Sequence, residues 1–261
     1  GTITCSNVTL SAVTGGGTVA VAPSCGVSCP APGCCVRYNP AGSTGNTVTF
    51  TYTVTSPTVP NCSKTGTVTV NICRLTSPNV TASVCSDGTV DICLPITATP
   101  ACGTITCSNV SFSAVTGGGT VAVSTACTSC ASPQCCVRYN ATGSTGSTAS
   151  FTYTVTAPGV PACTSTGTVT VNICRLTAPP VCIDVCSGNS GKACLPYTFT
   201  TACGTVTCAN VTLGTPPLGT LEFGNCTGVG TCTTNCCIQY SAPAGLPYTE
   251  FVVPYTVNDN A

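Results

Sequence analysis

Residues 48–55 read VTFTYTVT. Val48, Phe50, Tyr52 and Val54 fall on one face of an extended chain, and Thr49, Thr51, Thr53 and Thr55 on the other. Alternation with a period of two marks a strand buried on one side only, the habit of an antiparallel sheet with one face on a core. A second stretch behaves alike. In GTVTVNIC, Val68, Val70 and Ile72 oppose Thr67, Thr69 and Asn71. The connections carry GGG, SPTVP, APG and SDG, which are turn chemistry. No stretch shows apolar spacing of three and four. The expected fold is all-β: an antiparallel β-sandwich of about seven strands.

The strand-like stretches return along the chain. GTITCSN occupies 1–7 and 103–109, with GTVTCAN at 204–210. CCVRYN stands at 34–39 and 135–140, and CCIQYS at 236–241. FTYTVT at 50–55 and 151–156 is matched by FVVPYTV at 251–257, while GTVTVNICRLT occurs at 66–76 and 167–177. The spacing is 100 to 102 residues. Such a period is too long for a solenoid repeat and suits an array of whole domains.

The order VTLSAVTGGGTVAV, CCVRYNPAGSTGNTVTFTYTVT, GTVTVNIC resembles the cadherin-like and bacterial immunoglobulin-like tandem repeats of extracellular surface proteins. Tyr38 and Pro40 match the start of the family's Y-x-P-x-x-x-x-x-G segment, with Gly45 one place short of its glycine, and Phe50 to Thr55 match its F-x-Y-T-V-T strand. The resemblance covers most of each repeat. Family members often carry acidic residues that hold calcium between domains. This chain has six acidic residues in all and 26 cysteines, so the calcium sites do not carry over, and the chain is an unusually cysteine-rich form. The resemblance also sets the phase: the sequence after GTVTVNICRLT opens the next domain. The expected domains are tandem immunoglobulin-like antiparallel β-sandwiches, rich in disulfides: 1–75, lacking its first strands; 76–176, complete; and 177–261, lacking its last strand. Two explanations remain open for the ends, a fragment of a longer array or an assembly device. In the second, another copy of the chain completes the third sandwich along Phe251, Val252, Val253, Tyr255 and Val257, the candidate interface. A head-to-tail contact of this kind builds a filament when it does not close.

Composition excludes several functions. Six Lys and Arg balance six Asp and Glu, and such scattered cations form no surface for nucleic acid or an anionic membrane. No apolar run approaches the roughly 18 residues of a membrane span. The cysteines point to an oxidising compartment, hence an extracellular or cell-surface protein. The chain starts with Gly, which suggests a removed leader or a trimmed sequence.

No catalytic constellation is present. His is absent, and no Ser sits in a G-x-S-x-G elbow, so no enzyme is expected. Asp87 and Asp91 flank a turn and read as solvated. The GGG runs lack the Lys-Ser/Thr of a phosphate loop. Arg37 and Arg138 read as surface residues over the sheet. Metal is not expected either. Cys127 and Cys130 are spaced C-x2-C, but Cys25 and Cys29 are spaced C-x3-C and Cys226 and Cys232 C-x5-C. Zinc sites keep their ligand spacing, so these read as disulfide-tied loops. Neighbours on a strand point to opposite faces. In Cys34-Cys35, Cys135-Cys136 and Cys236-Cys237 the first cysteine is therefore expected toward the core and the second outward, with different partners. Cys182 has no counterpart in the other repeats and is a candidate for a bridge across a junction or between subunits.

Asn-x-Ser/Thr acceptors stand at Asn7, Asn61, Asn79, Asn109, Asn140, Asn210 and Asn225; Asn61 and Asn225 carry Cys in the middle. Glycans there are the covalent modification expected, and no other cofactor is. The sequence therefore reads as a structural glycoprotein, a head-to-tail self-assembling subunit of an extracellular filament, fibril, appendage or wall. The alternative is an adhesin or receptor segment that binds glycan or protein through the loops at one end of a sandwich.

Overall fold

The computed structural model describes residues 1–22, 33–59, 61–125, 127, 130, 135–160, 162–234 and 236–259. Among them the chain is all-β, with five short 3-10 turns and no α-helix. The expected C-x3-C pair, Cys25 and Cys29, lies outside the described residues.

In the first repeat the strands are β1 (Val8–Leu10), β2 (Thr18–Ala22), β3 (Cys35–Asn39), β4 (Thr47–Thr55) and β5 (Ser63–Asn71). They form two sheets, β1-β4-β5 and β2-β3. The second repeat opens with β6 (Leu75–Thr76), β7 (Val80–Cys85), β8 (Thr89–Leu94) and β9 (Thr97–Ala98). It continues with β10 (Val110–Phe112), β11 (Thr120–Val123), β12 (Cys135–Asn140), β13 (Thr148–Thr156) and β14 (Thr164–Cys174). Here the sheets are β10-β13-β14-β7 and β11-β12-β8, seven strands facing each other across one core. The third repeat has β15 (Leu176–Thr177), β16 (Ser190–Cys194), β17 (Thr198–Phe199), β18 (Val211–Leu213), β19 (Thr220–Gly224), β20 (Cys237–Ser241) and β21 (Tyr255–Val257).

The alternation seen in the sequence is the alternation of burial. Along β13, Ala149, Phe151, Tyr153 and Val155 are buried while the intervening Ser and Thr are half-exposed. They pack with Val137 and Tyr139 of β12, Val169, Val171 and Ile173 of β14, and Ile92 and Leu94 of β8. Each apolar side chain of this size contributes about 1.5–3 kcal/mol when fully buried. The tyrosine of CCVRY closes the sandwich at one end: Tyr139 Oη donates to Gly118 O at 2.8 Å and Tyr38 Oη to Gly16 O at 3.0 Å. The GGG runs are required here. Gly117 to Gly119 all have positive φ, and a Cβ on Gly119 would strike the Tyr139 ring.

One pair departs from the antiparallel expectation. Strands β7 and β14 run parallel, Val80 opposite Val169 and Cys85 opposite Cys174. The first and last strands of a module in a row both run from its entry to its exit, so when they meet edge to edge they are parallel.

Candidate functional site

Two features stand out, the junctions between repeats and an uncovered face in the first repeat. The junctions are built twice from the same residues. Cys73 at the end of the first repeat is bonded to Cys102, and Cys174 at the end of the second to Cys203. Beside each bridge a threonine ties the two segments. Thr99 Oγ1 donates to Ile72 O at 2.8 Å and accepts from Arg74 N at 2.9 Å. Thr200 does the same with Ile173 O and Arg175 N. The arginine then reaches back to the preceding repeat. Arg74 Nη2 donates to Ser43 O at 2.7 Å and Gly45 O at 3.0 Å. Arg175 donates to Ser144 O and, through Nε, to Gly146 O at 2.9 Å. A guanidinium offers five donors in a fixed fork, and here they satisfy loop carbonyls. These two arginines, passed over in the sequence, carried a legible signal: both follow the same NIC in a chain with six cations.

The uncovered face is plain when equivalent residues are compared. Tyr52 is 37% exposed and Tyr153 is 0%; Val36 is 36% exposed and Val137 is 0%. Val54, Val68, Val70 and Ile72 are half-buried where Val155, Val169, Val171 and Ile173 are fully buried. What differs is the cover. In the second repeat β7 and β8 lie over these positions, and Tyr153 Oη donates to Pro78 O at 2.6 Å. In the first repeat the same positions line an apolar groove of about 300 Å3 between Ile3, Val8, Val36, Phe50, Tyr52 and Val68. The outer edge of β5 has no strand neighbour among the described residues.

In the third repeat the segment equivalent to β7, residues 181–186, has no strand neighbour among the described residues. Val181, Ile183 and Val185 are half-buried and Cys182, Asp184 and Cys186 exposed. That is a strand's alternation without a ladder. The expected strand FVVPYTV is also cut short. Only Tyr255–Val257 pairs, with β18, whereas β13 runs nine residues between two neighbours. Pro254 has no N–H to give a ladder. Val257 is buried, Tyr255 Oη donates to Pro179 O, and Phe251 meets Tyr240 edge to face, while Val252 is 89% exposed and Val253 half-buried.

The paired cysteines divide their partners. Cys34, Cys135 and Cys236 bond to Cys5, Cys107 and Cys208 in the 3-10 turns of the GTITCSN motif. Cys136 and Cys237 bond to Cys127 and Cys226 in the preceding loop, and Cys35 is also disulfide-bonded. The outward direction expected of the second cysteine needs correction as to exposure. Cys35, Cys136 and Cys237 are buried, and each is taken up in a disulfide. Cys127 and Cys130 are spent on bridges to Cys136 and Cys93, and Cys232 on one to Cys194. Cys182 is an exposed thiol with no bridge among the described residues.

The acceptor asparagines have structural roles. Asn7, Asn109 and Asn210 recur because Oδ1 of each accepts, at 2.9 Å, the N–H of the threonine three residues before it, which closes the 3-10 turn. Asn79 Oδ1 accepts from Thr168 N and Asn140 Oδ1 from Thr142 N, both at 2.9 Å. Asn225 accepts from Lys192 Nζ. Asn61 is an exposed turn residue with φ of 67°. Arg138 is paired with Asp91 at 2.7 Å across β12 and β8, so Asp91 is more than a solvated turn residue.

Disulfides at this density belong to an oxidising, extracellular setting, and among the described residues no helix is long and apolar enough to cross a membrane. No protein-family model matches the chain. No curated protein matches it either. Among solved structures it is similar to mouse cadherin-23 EC22-24, at 14% identity and a TM-score of 0.28, over 95% of this chain and 79% of that one. It is also similar to the protocadherin GammaB4 extracellular domain, at 11% identity and a TM-score of 0.28, over 91% of this chain and 40% of that one. A third is the surface layer protein SbsC, domains 1-6, at 16% identity and a TM-score of 0.25, over 93% of this chain and 29% of that one. At these identities and TM-scores no property of those proteins is carried to this chain.

Proposed function

We propose that this chain is a structural subunit of an extracellular filament, appendage or wall, which assembles head to tail by strand complementation. The observation that supports the reading is the apolar groove beside β5, a β14-type strand whose outer edge has no strand neighbour among the described residues. Residues 181–186, a β7-type segment, likewise have no strand neighbour among the described residues. Transferred through the repeat, the register of β7 on β14 puts Val181 opposite Val68, Ile183 opposite Val70 and Cys186 opposite Cys73 of the next chain. Main-chain hydrogen bonds supply affinity in such an added strand, and alternate side chains entering the groove supply selectivity. The free edge of β21, with Phe251, Val252, Val253, Tyr255 and Val257, forms the flank of the same contact. The contact is heterologous and builds a filament. Glycans on acceptors such as the exposed Asn61 and Asn79 would keep so weakly charged a surface soluble.

Electron microscopy of the purified, unreduced chain tests this. Filaments are expected, and Val68→Asp should abolish them, since an unpaired carboxylate would stand in the groove. Monodisperse particles at every concentration would overturn assembly in favour of an adhesive segment.

A further inference from the structure

Among the described residues five cysteines are free: Cys62, Cys85, Cys163, Cys182 and Cys186. Two of them stand beside a junction bridge. At the first junction, Cys163 Sγ lies 3.2 Å from Cys73 Sγ, which is bonded to Cys102. The backbone builds this contact. Cys163 ends the turn before β14, which closes through Cys163 N donating to Val160 O at 2.8 Å and Ala157 N donating to Cys163 O at 3.0 Å. Within that turn Gly159 N donates to Cys102 O at 2.9 Å. The turn is thereby fastened to the 3-10 turn Pro100–Cys102, so closely that a Cβ on Gly159 would sit 3.1 Å from Cys102 O. Three separate segments thus bring three sulfurs together: the end of the first repeat, the 3-10 turn and the turn before β14.

We propose that the first junction is a thiol–disulfide exchange site, in which Cys163 displaces Cys102 from Cys73. The Cys163 thiol gives its proton to solvent, and the thiolate attacks Cys73 Sγ. A bond forms between those two sulfurs as the Cys73–Cys102 bond breaks. Cys102 leaves as a thiolate and takes a proton from solvent. One thiol and one disulfide are present before and after, so no oxidant or reductant is consumed. The sulfurs already stand within the about 3–3.5 Å of a near-attack pair. The leaving group is also provided for. Cys102 is fully buried, its sulfur 3.5 Å from Arg74 O, which accepts from the freed thiol, and 3.7 Å from Thr99 Oγ1. The junction is covalently closed in either form. Exchange moves the tie on the first repeat from the 3-10 turn to the turn between β13 and β14, and it moves the free thiol from half-exposed Cys163 to buried Cys102.

The second junction has a thiol too, but a restrained one. Cys85 stands opposite Cys174 in the parallel ladder, its sulfur within 4.8 Å of the Cys174 sulfur, which is bonded to Cys203. Cys85 Sγ donates to Asp259 Oδ2 at 3.1 Å, and that hydrogen bond, with burial and the carboxylate's charge, pushes its thiol up, away from the reactive thiolate. Cys62 ends the equivalent turn of the first repeat and is exposed. All the contacts of the first junction lie within one chain, so the exchange needs no assembly.

The test is mass spectrometry of linked peptides from the full, unreduced chain, held folded in mildly alkaline buffer, quenched with acid and N-ethylmaleimide, and cleaved with trypsin. Arg74 lies between Cys73 and Cys102, and Arg138 between Cys102 and Cys163, so each bridge gives its own linked pair. A Cys73–Cys163 peptide is expected at no less than about a tenth of the Cys73–Cys102 peptide, with a Cys85–Cys174 peptide at least about tenfold scarcer than it. Prolonged iodoacetamide treatment of the folded chain should drain the Cys73–Cys163 peptide at least about tenfold, because each alkylated Cys163 is withdrawn from the exchange. Cys62→Ser and Cys85→Ser should leave its yield unchanged. Recovery of the Cys73–Cys102 peptide alone would overturn the proposal. So would a Cys73–Cys163 peptide that iodoacetamide leaves undiminished, the mark of a fixed bridge, or one no more abundant than Cys85–Cys174, the mark of unselective scrambling.

Discussion

The first and second repeats spell nearly the same strands, and the molecule treats them differently. FTYTVT at 151–156 lies at the centre of a four-stranded sheet under a second sheet. FTYTVT at 50–55 has a sheet to one side and a groove over it. Phe50 and Val48 are as buried as Phe151 and Ala149, because β4 and β5 bury them locally. Tyr52 and Val36 are not, because their cover is the pair of strands that in the second repeat precedes the shared motif. Burial here is a property of the neighbours and not of the segment.

The largest expected effect sets the two tyrosines against each other. Tyr153→Ala removes a fully buried ring and should destabilise the second repeat by about 3–5 kcal/mol, whereas Tyr52→Ala should cost the first repeat less than about 1 kcal/mol in the monomer. Amide hydrogen exchange on β13 and β4 reads both. Equal losses would break the comparison and show that the first repeat is covered after all.

The junctions sharpen it. Arg74 and Arg175 hold the equivalent loop residues, Ser43 and Gly45 against Ser144 and Gly146, although Arg74 does so through Nη2 alone and grips an open repeat. Arg74→Ala and Arg175→Ala should therefore cost about the same, on the order of 2 kcal/mol each. Urea unfolding of the two variants checks this. A much smaller loss for Arg74→Ala would mean that an open repeat holds its loops too loosely for the clamp to matter.

The smallest effect concerns charge. Arg138 pairs with Asp91 on β8, and Arg37, its counterpart, has no β8 beside it. The hydrogen bond from Arg138, with its charge, holds the Asp91 carboxyl below the usual carboxylate range. The pairing therefore favours the folded state fully above about pH 4, where an unfolded aspartate is ionised, and the benefit is lost as pH falls through the lower folded value. The pair is exposed, so a slight fall in unfolding temperature is expected for the second repeat in acid. Asp91→Asn should remove that dependence and leave the first repeat's unchanged.

Much of this was legible in the letters. A period of two in VTFTYTVT is a local property, and local sterics make it a strand wherever it occurs. The repeat spacing and the cysteine content likewise needed no coordinates to define modules of one kind in an oxidising setting. The glycosylation motif at Asn7, Asn109 and Asn210 was visible too, but the turn that these residues close was not. A hydrogen bond from a threonine three residues back leaves no mark beyond a recurring T-x-x-N.

Only the tertiary structure decided what depends on distant partners. It assigned Cys34 to Cys5 and buried Cys35, turned β7 parallel to β14, put Arg74 and Arg175 on loop carbonyls, and left Val181 to Cys186 a strand without a ladder. Propensity acts over a few residues, while pairing and burial join residues some 30 to 90 apart through the repeat. Identical letters therefore fold into identical strands, and their neighbours determine which of those strands are covered and which remain open.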